Sequence, residues 1–349
     1  MPSSAPRSVR AVSHPAALCL AALATLGFPG CPEDVTGPGG GPGDPNSLTM
    51  SNCWPNDDGR WWLFETTLQP LEVEPFELLA ANATVPEVSF GLARALLADE
   101  VAPVAGALQE YPFQLAFQGR ITTESGVEAQ NLTELVPVRG PNLRATGPMR
   151  SGSRFLASLA AARPDLRARI AALAPAAAPA TDGGVAYWLP LFIHGYAWIK
   201  GPAWIGTYGD VDTLLAWKFL EATLRPGHTF RHQLVPSLAS DVWLNARVER
   251  RLAVEVPGIG RVGNAIEVLY LLDYGVGYAT DAMGNVVGSY RAFDYGTVTW
   301  APGVGPVRDV ERRLAYVGRQ VTHGLYDIRL DLTSTGVSTL DRAAANRRP

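Results

Sequence analysis

Lysine, cysteine and the common catalytic motifs are all scarce in this chain. Only two of its 29 basic residues are lysines, Lys200 and Lys218, and the formal net charge is −4. A protein that binds nucleic acid needs a basic surface, so we expect no nucleic-acid partner. The sequence also lacks Gly-x-Ser-x-Gly, His-Glu-x-x-His and Cys-x-x-Cys. These absences exclude the usual signatures of serine hydrolases, zinc proteases and dithiol redox proteins.

Long apolar runs are missing as well. The most apolar one, residues 16–28, spans 13 residues, whereas a membrane-spanning helix needs about 20. Arg7 and Arg10 precede this run, and a glycine- and proline-rich stretch follows it. That order is typical of a secretory signal. We therefore predict a signal peptide over residues 1–30 and an exported mature protein.

Gly30-Cys31 resembles the lipobox of bacterial lipoproteins, in which a cysteine after a small residue receives diacylglycerol and becomes the new N-terminus. The two residues before Gly30 depart from the family pattern. The resemblance implies that Cys31 is lipidated and holds the protein at a membrane of the cell envelope, through a flexible linker over residues 31–53. The alternative is ordinary signal cleavage, after which Cys31 could form a disulfide with Cys53 in an oxidising compartment.

The first part of the mature chain, residues 54–174, is predicted to mix helices and strands. Aromatic and β-branched or alternating residues predict strands over 61–67 and 111–123. Apolar residues at helical spacing predict helices over 75–81, 89–98 and 151–174, the last one broken by Pro164. An alanine- and proline-rich linker over residues 175–184 follows.

The second part, residues 185–335, is predicted to be mainly an antiparallel meander. One helix is expected over residues 213–224, capped by Asp212. After Gly227, alternating residues and short turns predict six strands, over 242–256, 265–274, 286–295, 297–300, 307–317 and 320–332. Residues 336–349 are predicted to be a disordered tail. Whether the two parts form one domain or two stays open.

The segment from Trp300 to Val307 resembles a motif near the end of uncharacterised bacterial envelope lipoproteins. In those proteins an aromatic residue and a Gly-x-Gly turn close a curved antiparallel sheet, similar to the half-barrels of lipoprotein carriers. The resemblance implies an α+β fold, with a mostly antiparallel, half-barrel-like curved sheet and several covering helices. It further implies a concave apolar face that a helix can cover or an apolar ligand can fill.

Aromatic residues concentrate after residue 186 and are the candidate ligand-binding residues. Aromatic rings supply a large contact area at a small entropic cost, so we predict a groove for an apolar or carbohydrate-like ligand. The alternative is that these rings pack at an edge of the core. The candidates are Trp188, Tyr196, Trp198, Trp204 and Trp217.

Metal binding has weaker support in the sequence. Asp210 and Asp212, with His194, could hold a divalent cation through oxygen ligands, although capping of a helix also explains Asp212. His228 and His232 are four residues apart, and on a strand they lie about 13 Å apart, too far to share one ion. We expect no cofactor.

These observations predict a lipid-anchored envelope protein that binds an apolar or carbohydrate-like ligand and performs no catalysis. One alternative is a structural or interaction protein of the envelope. A second alternative is an envelope hydrolase that uses paired carboxylates, because a glycosidase needs only two such groups at the right separation. The sequence cannot pair the candidates, which are Glu221, Asp241, Asp273 and Asp294.

Overall fold

One antiparallel sheet of fourteen strands forms the framework of the computed structural model. The structure describes Thr49 and residues 52–55, 57–122, 126, 128–137, 143–145, 151–173, 197–200, 204–208 and 216–337. All of them belong to one compact unit, Pro45–Pro349. The predicted linker over residues 175–184 lies outside the described residues, so the predicted domain boundary stays a prediction.

The described elements are three α-helices, a 3₁₀ turn and the strands. The helices are α1 Phe90–Ala98, α2 Ser151–Ala162 and α3 Arg167–Leu173, with the 3₁₀ turn at Pro164–Leu166. The first seven strands are β1 Arg60–Pro70, β2 Gln109–Thr122, β3 Glu128–Pro137, β4 Leu143–Ala145, β5 Ala197–Lys200, β6 Trp204–Tyr208 and β7 Ala216–Glu221. The other seven are β8 Thr229–Gln233, β9 Trp243–Val256, β10 Gly260–Thr280, β11 Val286–Ala301, β12 Gly305–Val317, β13 Val321–Thr322 and β14 Tyr326–Val337.

The strand order shows that both parts of the chain contribute to the same sheet. The order is β7-β6-β5-β3-β2-β1-β14-β12-β11-β10-β9-β8, with β4 added to β3 and β13 added to β12. The first strand, β1, pairs with the last, β14, in the middle of this order. The two ends of the sheet are β7 and β8, and the described residues show no backbone ladder between them.

The sheet is strongly curved. Eight strand spacings separate β7 from β11 in the order, a distance of about 38 Å in a flat sheet. Yet the rings of Phe219 in β7 and Trp300 in β11 stack with their centroids 5.7 Å apart. The sheet therefore folds back on itself, and the expectation of a curved antiparallel sheet is confirmed.

Aromatic side chains fill one end of the concave face. Trp54 lies at the centre of this cluster, with ring centroids 5.3–6.0 Å from those of its neighbours. All members are buried, so the protein itself occupies the concave face at this end. The neighbours of Trp54 are Trp62, Phe117, Phe219 and Trp300.

Helices cover the rest of the sheet from both sides. At the other end of the concave face, Phe155 of α2 stacks on Tyr274 of β10 at 6.3 Å. On the convex face, α1 buries Ala93 and Leu96 against β10, β11 and β12. The N-cap of α1 is Ser89, whose hydroxyl accepts a hydrogen bond from Leu92 N at 3.2 Å. The helices predicted over 89–98 and on both sides of Pro164 are confirmed.

Two predicted helices are wrong. Residues 216–221 form β7 instead of a helix, because tertiary contacts bury both Phe219 and Leu220 and override their helical spacing. Residues 75–81 are extended, because Leu79 exchanges backbone hydrogen bonds with Ser289 of β11 at 3.0 and 3.1 Å. The fold is therefore mainly β with a few helices, rather than an α+β fold with several covering helices.

The predicted meander is confirmed, with two corrections to its strands. Segments 286–295 and 297–300 form one strand, because Gly296 continues the ladder opposite Tyr270. A Cβ atom at Gly296 would come within 2.6 Å of Val310 O, so glycine here permits close strand packing and does not make a turn. Segment 320–332 divides into β13 and β14 at a turn around Gly324, which packs against the backbone of Arg313.

Near the middle of β11, a β-bulge in each neighbouring strand interrupts the ladder. In β10, Tyr274 and Gly275 together face Ala292, and Gly275 adopts a φ of 78°. In β12, Arg313 and Leu314 together face Asp294, and Leu314 adopts a φ of 58°. A bulge shifts the alternation of side chains by one residue, so both strands change which residues face the concave side.

Substitution of Gly275 should be much more damaging than substitution of an unpacked glycine with the same backbone. Gly258 has a φ of 76° and open space around it, whereas a Cβ atom at Gly275 would lie 2.2 Å from an Asp241 oxygen. We expect Gly258→Ala to lower the free energy of unfolding by about 1–2 kcal/mol and Gly275→Ala by a further ~1–3 kcal/mol. Urea unfolding measures both, and equal losses would contradict this account of the bulge.

Candidate functional site

The bulge in β12 places a tyrosine on the concave side. Before the bulge, Asp309, Glu311 and Arg313 alternate on that side and are buried. Beyond Leu314 the alternation changes, so Ala315 packs under α1 on the convex face and Tyr316 lines a cavity on the concave face. Strict period-two alternation would place Tyr316 on the opposite face.

This cavity, which we call the aromatic pocket, has a volume of about 210 Å³. Three rings in mutual contact form part of its wall: the ring centroid of Phe76 lies 5.6 Å from that of Tyr316 and 6.4 Å from that of Tyr290, and the two tyrosine centroids are 5.6 Å apart. Its lining is almost wholly apolar. The complete lining is Val73, Glu74, Phe76, Leu78, Tyr290, Tyr316, Thr322 and Leu325.

Most polar atoms in the wall of the aromatic pocket already form hydrogen bonds within the protein. The Tyr290 hydroxyl donates to Ala162 O at 3.1 Å, at the end of α2. Thr322 Oγ1 accepts from Tyr316 N at 3.1 Å. Burial raises the pKa of Tyr290, and burial together with Tyr290 and Asp294 raises the pKa of Tyr316 to about 12. Both phenols are therefore neutral at physiological pH, and the exposed Glu74 is the charged residue of the lining.

The lack of a side chain at Gly277 leaves room for the Tyr290 ring. Gly277 faces Tyr290 across the β10–β11 ladder, and a Cβ atom there would lie 2.5 Å from the ring. The bulge at Gly275 sets this register, since Val276 pairs with Arg291 immediately after it. The pocket therefore depends on both bulges, one for each tyrosine.

A buried ionic cluster lies behind the pocket and connects the two bulges. Asp294 accepts hydrogen bonds from the Tyr274 hydroxyl at 2.7 Å and from Leu314 N at 2.8 Å. Arg313 NH1 lies 3.7 Å from Asp294 Oδ2, and its Nε and NH2 groups donate to Glu311 at 2.9 and 2.7 Å. Burial raises the pKa of Asp294, and Arg313 partly offsets that effect.

The pKa of one carboxyl in the cluster is strongly raised, which favours its protonated form. Asp309 is 1 % exposed and lies next to Glu311 on the same face of β12. Burial and the neighbouring Glu311 raise the pKa of Asp309 well above its usual range. The side chains of the cluster are buried, and none of them belongs to the pocket lining.

Each carboxylate proposed for hydrolysis lies next to a basic side chain. Asp241 accepts from Arg163 at 3.1 and 3.2 Å and from Val276 N at 2.9 Å. Asp273 lies 3.6 Å from Arg291, and Glu221 lies 3.2 Å from His228. The lining of the aromatic pocket contains none of the four candidates, since its acidic residue is Glu74. The structure thus offers the hydrolase alternative no paired carboxylates at the pocket.

Three of the five residues of the predicted aromatic groove lie within the described residues. Trp198, Trp204 and Trp217 lie on β5, β6 and β7 at one end of the sheet, and Trp198 and Trp217 both face Thr207 in the ladder. Trp204 is half-buried, with Lys218 Nζ 4.9 Å from its ring centroid. Trp188 and Tyr196 lie outside the described residues. The aromatic groove stays a prediction.

The other predicted sites also fall mostly outside the described part of the chain. This applies to Cys31 and to the metal candidates Asp210, Asp212 and His194. Within the described residues, no group of three or more His, Cys, Asp or Glu side chains is placed to hold a metal ion. No helix in the same residues is long and apolar enough to cross a membrane.

Comparisons with known proteins identify no family. No protein-family model matches the sequence, and no curated protein matches it. A solved structure from Bacteroides fragilis, described as an exported protein with a YmcC-like fold, is 10% identical with a TM-score of 0.26, over 81% of this chain and 98% of that one. Another, from Parabacteroides distasonis and described as a lipoprotein, is 9% identical with a TM-score of 0.24, over 82% and 98%. Likeness at this level carries no functional argument.

Removal of the Asp294 carboxylate should destabilise the protein strongly. Asp294→Ala leaves the Tyr274 hydroxyl and Leu314 N without their acceptor and removes one counter-charge of Arg313. We expect a loss of about 3–5 kcal/mol in the free energy of unfolding. Asp331→Ala removes an exposed pair with Arg308 and should cost less than about 1 kcal/mol. Similar losses in urea unfolding would show that the cluster does not hold the bulges.

Asp309→Asn should weaken the dependence of stability on pH. The native pKa of Asp309 lies above its unfolded value of ~3.9. From that pH upward the unfolded chain releases the proton while the native protein retains it, so stability falls as pH rises. Asparagine mimics the protonated acid and removes this contribution.

Thermal unfolding between pH 5 and pH 8 measures the effect. The variant should lose less stability over this range than the unsubstituted protein. Asp281→Asn is the control, because local hydrogen bonds from Asn285 lower the pKa of Asp281 and its titration lies below this range. An unchanged pH slope in Asp309→Asn would contradict the raised pKa of Asp309.

Proposed function

We propose that this chain is an exported cell-envelope protein, held to a membrane by a lipid on Cys31, which binds an apolar ligand in the aromatic pocket without chemical conversion. Export and anchoring are supported by the signal-like N-terminus and by the resemblance of Gly30-Cys31 to a lipobox. The observation that carries ligand binding is the apolar pocket of about 210 Å³ whose lining includes three aromatic rings.

The lining favours a hydrocarbon group over a carbohydrate. When a sugar enters a pocket, its hydroxyl groups lose their hydrogen bonds to water. Polar groups of the protein must replace each of these bonds. The Tyr290 and Thr322 hydroxyls already bond to the protein. A hydrocarbon needs no such partners and gains free energy from every apolar surface that it buries.

Pocket size limits the ligand. The volume equals about seven water molecules at ~30 Å³ each and is below the ~300–1,000 Å³ of sites for drug-sized molecules. A short alkyl chain or a single ring fits this space. A larger ligand would keep its remaining part outside, near Glu74 at the mouth.

A second function, contact with another envelope component, is favoured by the tip of the β10–β11 hairpin. Met283 is 83 % exposed at this tip, and its neighbours Val286 and Val287 are also exposed. Hydrogen bonds from Met283 N and Asn285 N to Asp281 fix the turn. A rigid, exposed apolar tip is a suitable surface for another protein.

Filling the pocket should weaken ligand binding. The probe is N-phenyl-1-naphthylamine, an apolar dye whose fluorescence rises in apolar surroundings. Val73→Trp fills the pocket from its exposed rim and should weaken dye binding about tenfold or more. Val104→Trp is the matched control, because Val104 is 37 % exposed, like Val73 at 36 %, and lies outside the lining. Unsaturable dye binding, or equal binding by both variants, would contradict the proposed function.

A further inference from the structure

Residues 101–108, which we call the apolar loop, lie between α1 and β2 and contain no polar or charged side chain. Their sequence is Val-Ala-Pro-Val-Ala-Gly-Ala-Leu. Six of these eight residues are exposed, and Leu108 is exposed by 52 %. Side chains of this kind form no hydrogen bonds with water, so such a run on the surface indicates contact with an apolar partner.

Backbone hydrogen bonds hold the apolar loop against the end of β1. Glu72 N donates to Ala102 O at 2.8 Å, and Val104 N donates to Pro70 O at 2.9 Å. The side-chain amide of Gln69 donates to Val104 O at 3.1 Å. These bonds satisfy polar backbone atoms of the loop, which lowers the cost of moving the loop into an apolar medium.

The apolar loop lies beside the mouth of the aromatic pocket. Pro103 forms an isolated bridge with Leu71, and Val73, two residues further along, lines the pocket and is 36 % exposed. Val321 is 39 % exposed and precedes Thr322, another residue of the lining. The mouth of the pocket is therefore bordered by exposed apolar side chains.

Exposed apolar side chains concentrate at this end of the sheet. Antiparallel pairing places the end of β1, the end of β12 and the turn between β10 and β11 at the same end of the strands. Of the nine large apolar side chains that are exposed among the described residues, eight lie here, and Ile259 lies at the opposite end, in the turn between β9 and β10. The eight are Val73, Val104, Leu108, Tyr278, Met283, Val286, Val287 and Val321.

The N-terminal segment meets the sheet at that opposite end. Asn52 O accepts a hydrogen bond from Gly303 N, in the turn between β11 and β12, at 2.7 Å. The length of β1, about 35 Å, separates this contact from the apolar loop. Residues 31–48, if fully extended, would span about 60 Å. A lipid on Cys31 would therefore leave the apolar loop within reach of the bilayer surface, at a high effective concentration.

The arrangement of the exposed side chains favours a bilayer over a protein as the partner of the loop. They lie on separate projections, which are the loop, β13 and the β10–β11 hairpin, and not in one groove. A protein interface needs a complementary shape, whereas a fluid bilayer adapts to irregular projections. The lipid anchor proposed for Cys31 supplies that bilayer, and an apolar ligand concentrates in it.

We infer that the apolar loop enters the interfacial layer of the bilayer to which the protein is anchored, so that the aromatic pocket opens towards lipid. The inference rests on the proposed function, because the pocket then takes its apolar ligand from the bilayer and not from water. The tip of the β10–β11 hairpin lies at the same end and stays available to a protein of that membrane.

Quenching by spin-labelled lipid reports contact between the loop and the bilayer. Leu108→Cys and Ala105→Cys each carry a fluorophore on the full-length anchored protein, in phosphatidylcholine vesicles with nitroxide groups on some acyl chains. Ile259→Cys is the matched control, because Ile259 is 54 % exposed, like Leu108 at 52 %, and lies at the opposite end of the sheet. Two loop positions guard against a local effect of one substitution.

Two further choices make the measurement specific. The unsubstituted protein, treated with the same reagent, gives the background labelling, since Cys53 is buried. Phosphatidylcholine carries no net charge, and this matters because exposed acidic residues border the loop and would be repelled by anionic lipid. These residues are Glu72, Glu74 and Glu100.

We expect the fluorophores at positions 105 and 108 to lose most of their fluorescence and the fluorophore at position 259 to lose little. Equal quenching at both ends, or no quenching at the loop, overturns the inference. Absence of quenching together with saturable binding of N-phenyl-1-naphthylamine leaves the ligand site standing. Quenching at the loop without saturable dye binding overturns the proposed function instead, and leaves only the bilayer contact.

Discussion

The carboxylate of Asp294 is the contact on which the rest of this structure depends. It lies in the middle of β11 and accepts one hydrogen bond from Tyr274, beside the β10 bulge, and another from Leu314, inside the β12 bulge. A carboxylate in this position loses its hydration, which is costly unless charge and hydrogen bonds compensate. Arg313 supplies the charge, and the raised pKa of Asp309 favours its neutral form, which would limit the negative charge of the cluster.

The two bulges create the pocket because they change which side chains face the concave side of the sheet. Without them, period-two alternation would place Tyr316 on the convex face and would misalign Tyr290 with Gly277. With them, both rings line the same pocket, and Phe76 packs against both of them. The other end of the concave face is filled by the Trp54 cluster. The same curved sheet thus provides a solid core at one end and a small apolar pocket at the other.

Local sequence signals predicted the regular parts of the fold and missed the parts that depend on long-range contacts. Alternation identified the meander, and Ser89 and Pro164 marked helix boundaries, because these signals act within a few residues. The strand β7 carries helical spacing, and only its packing on Trp300 reveals it as a strand. The bulge at Leu314 has no local signature, since a leucine gives no hint of a positive φ.

The aromatic pocket was missed for a related reason. Its residues come from three segments around positions 73–78, 290 and 316–325, and only the fold brings them together. One signal was present, the repeated Asp-Tyr-Gly at positions 273 and 294. The first copy contains the bulge glycine, Gly275, and the second contains the central carboxylate, Asp294. The two copies therefore indicate residues that support the pocket, but they do not predict which residues line it.

Native mass spectrometry of the full chain, purified from the envelope of cells that export it, tests the central claim most directly. A covalent lipid stays on the protein in both native and denatured spectra, so the difference between the two masses reports a non-covalent ligand. Our account predicts a reproducible added mass of a small apolar molecule that disappears on denaturation and is absent from Val73→Trp. Identical native and denatured masses, or an added mass that Val73→Trp retains, would contradict it.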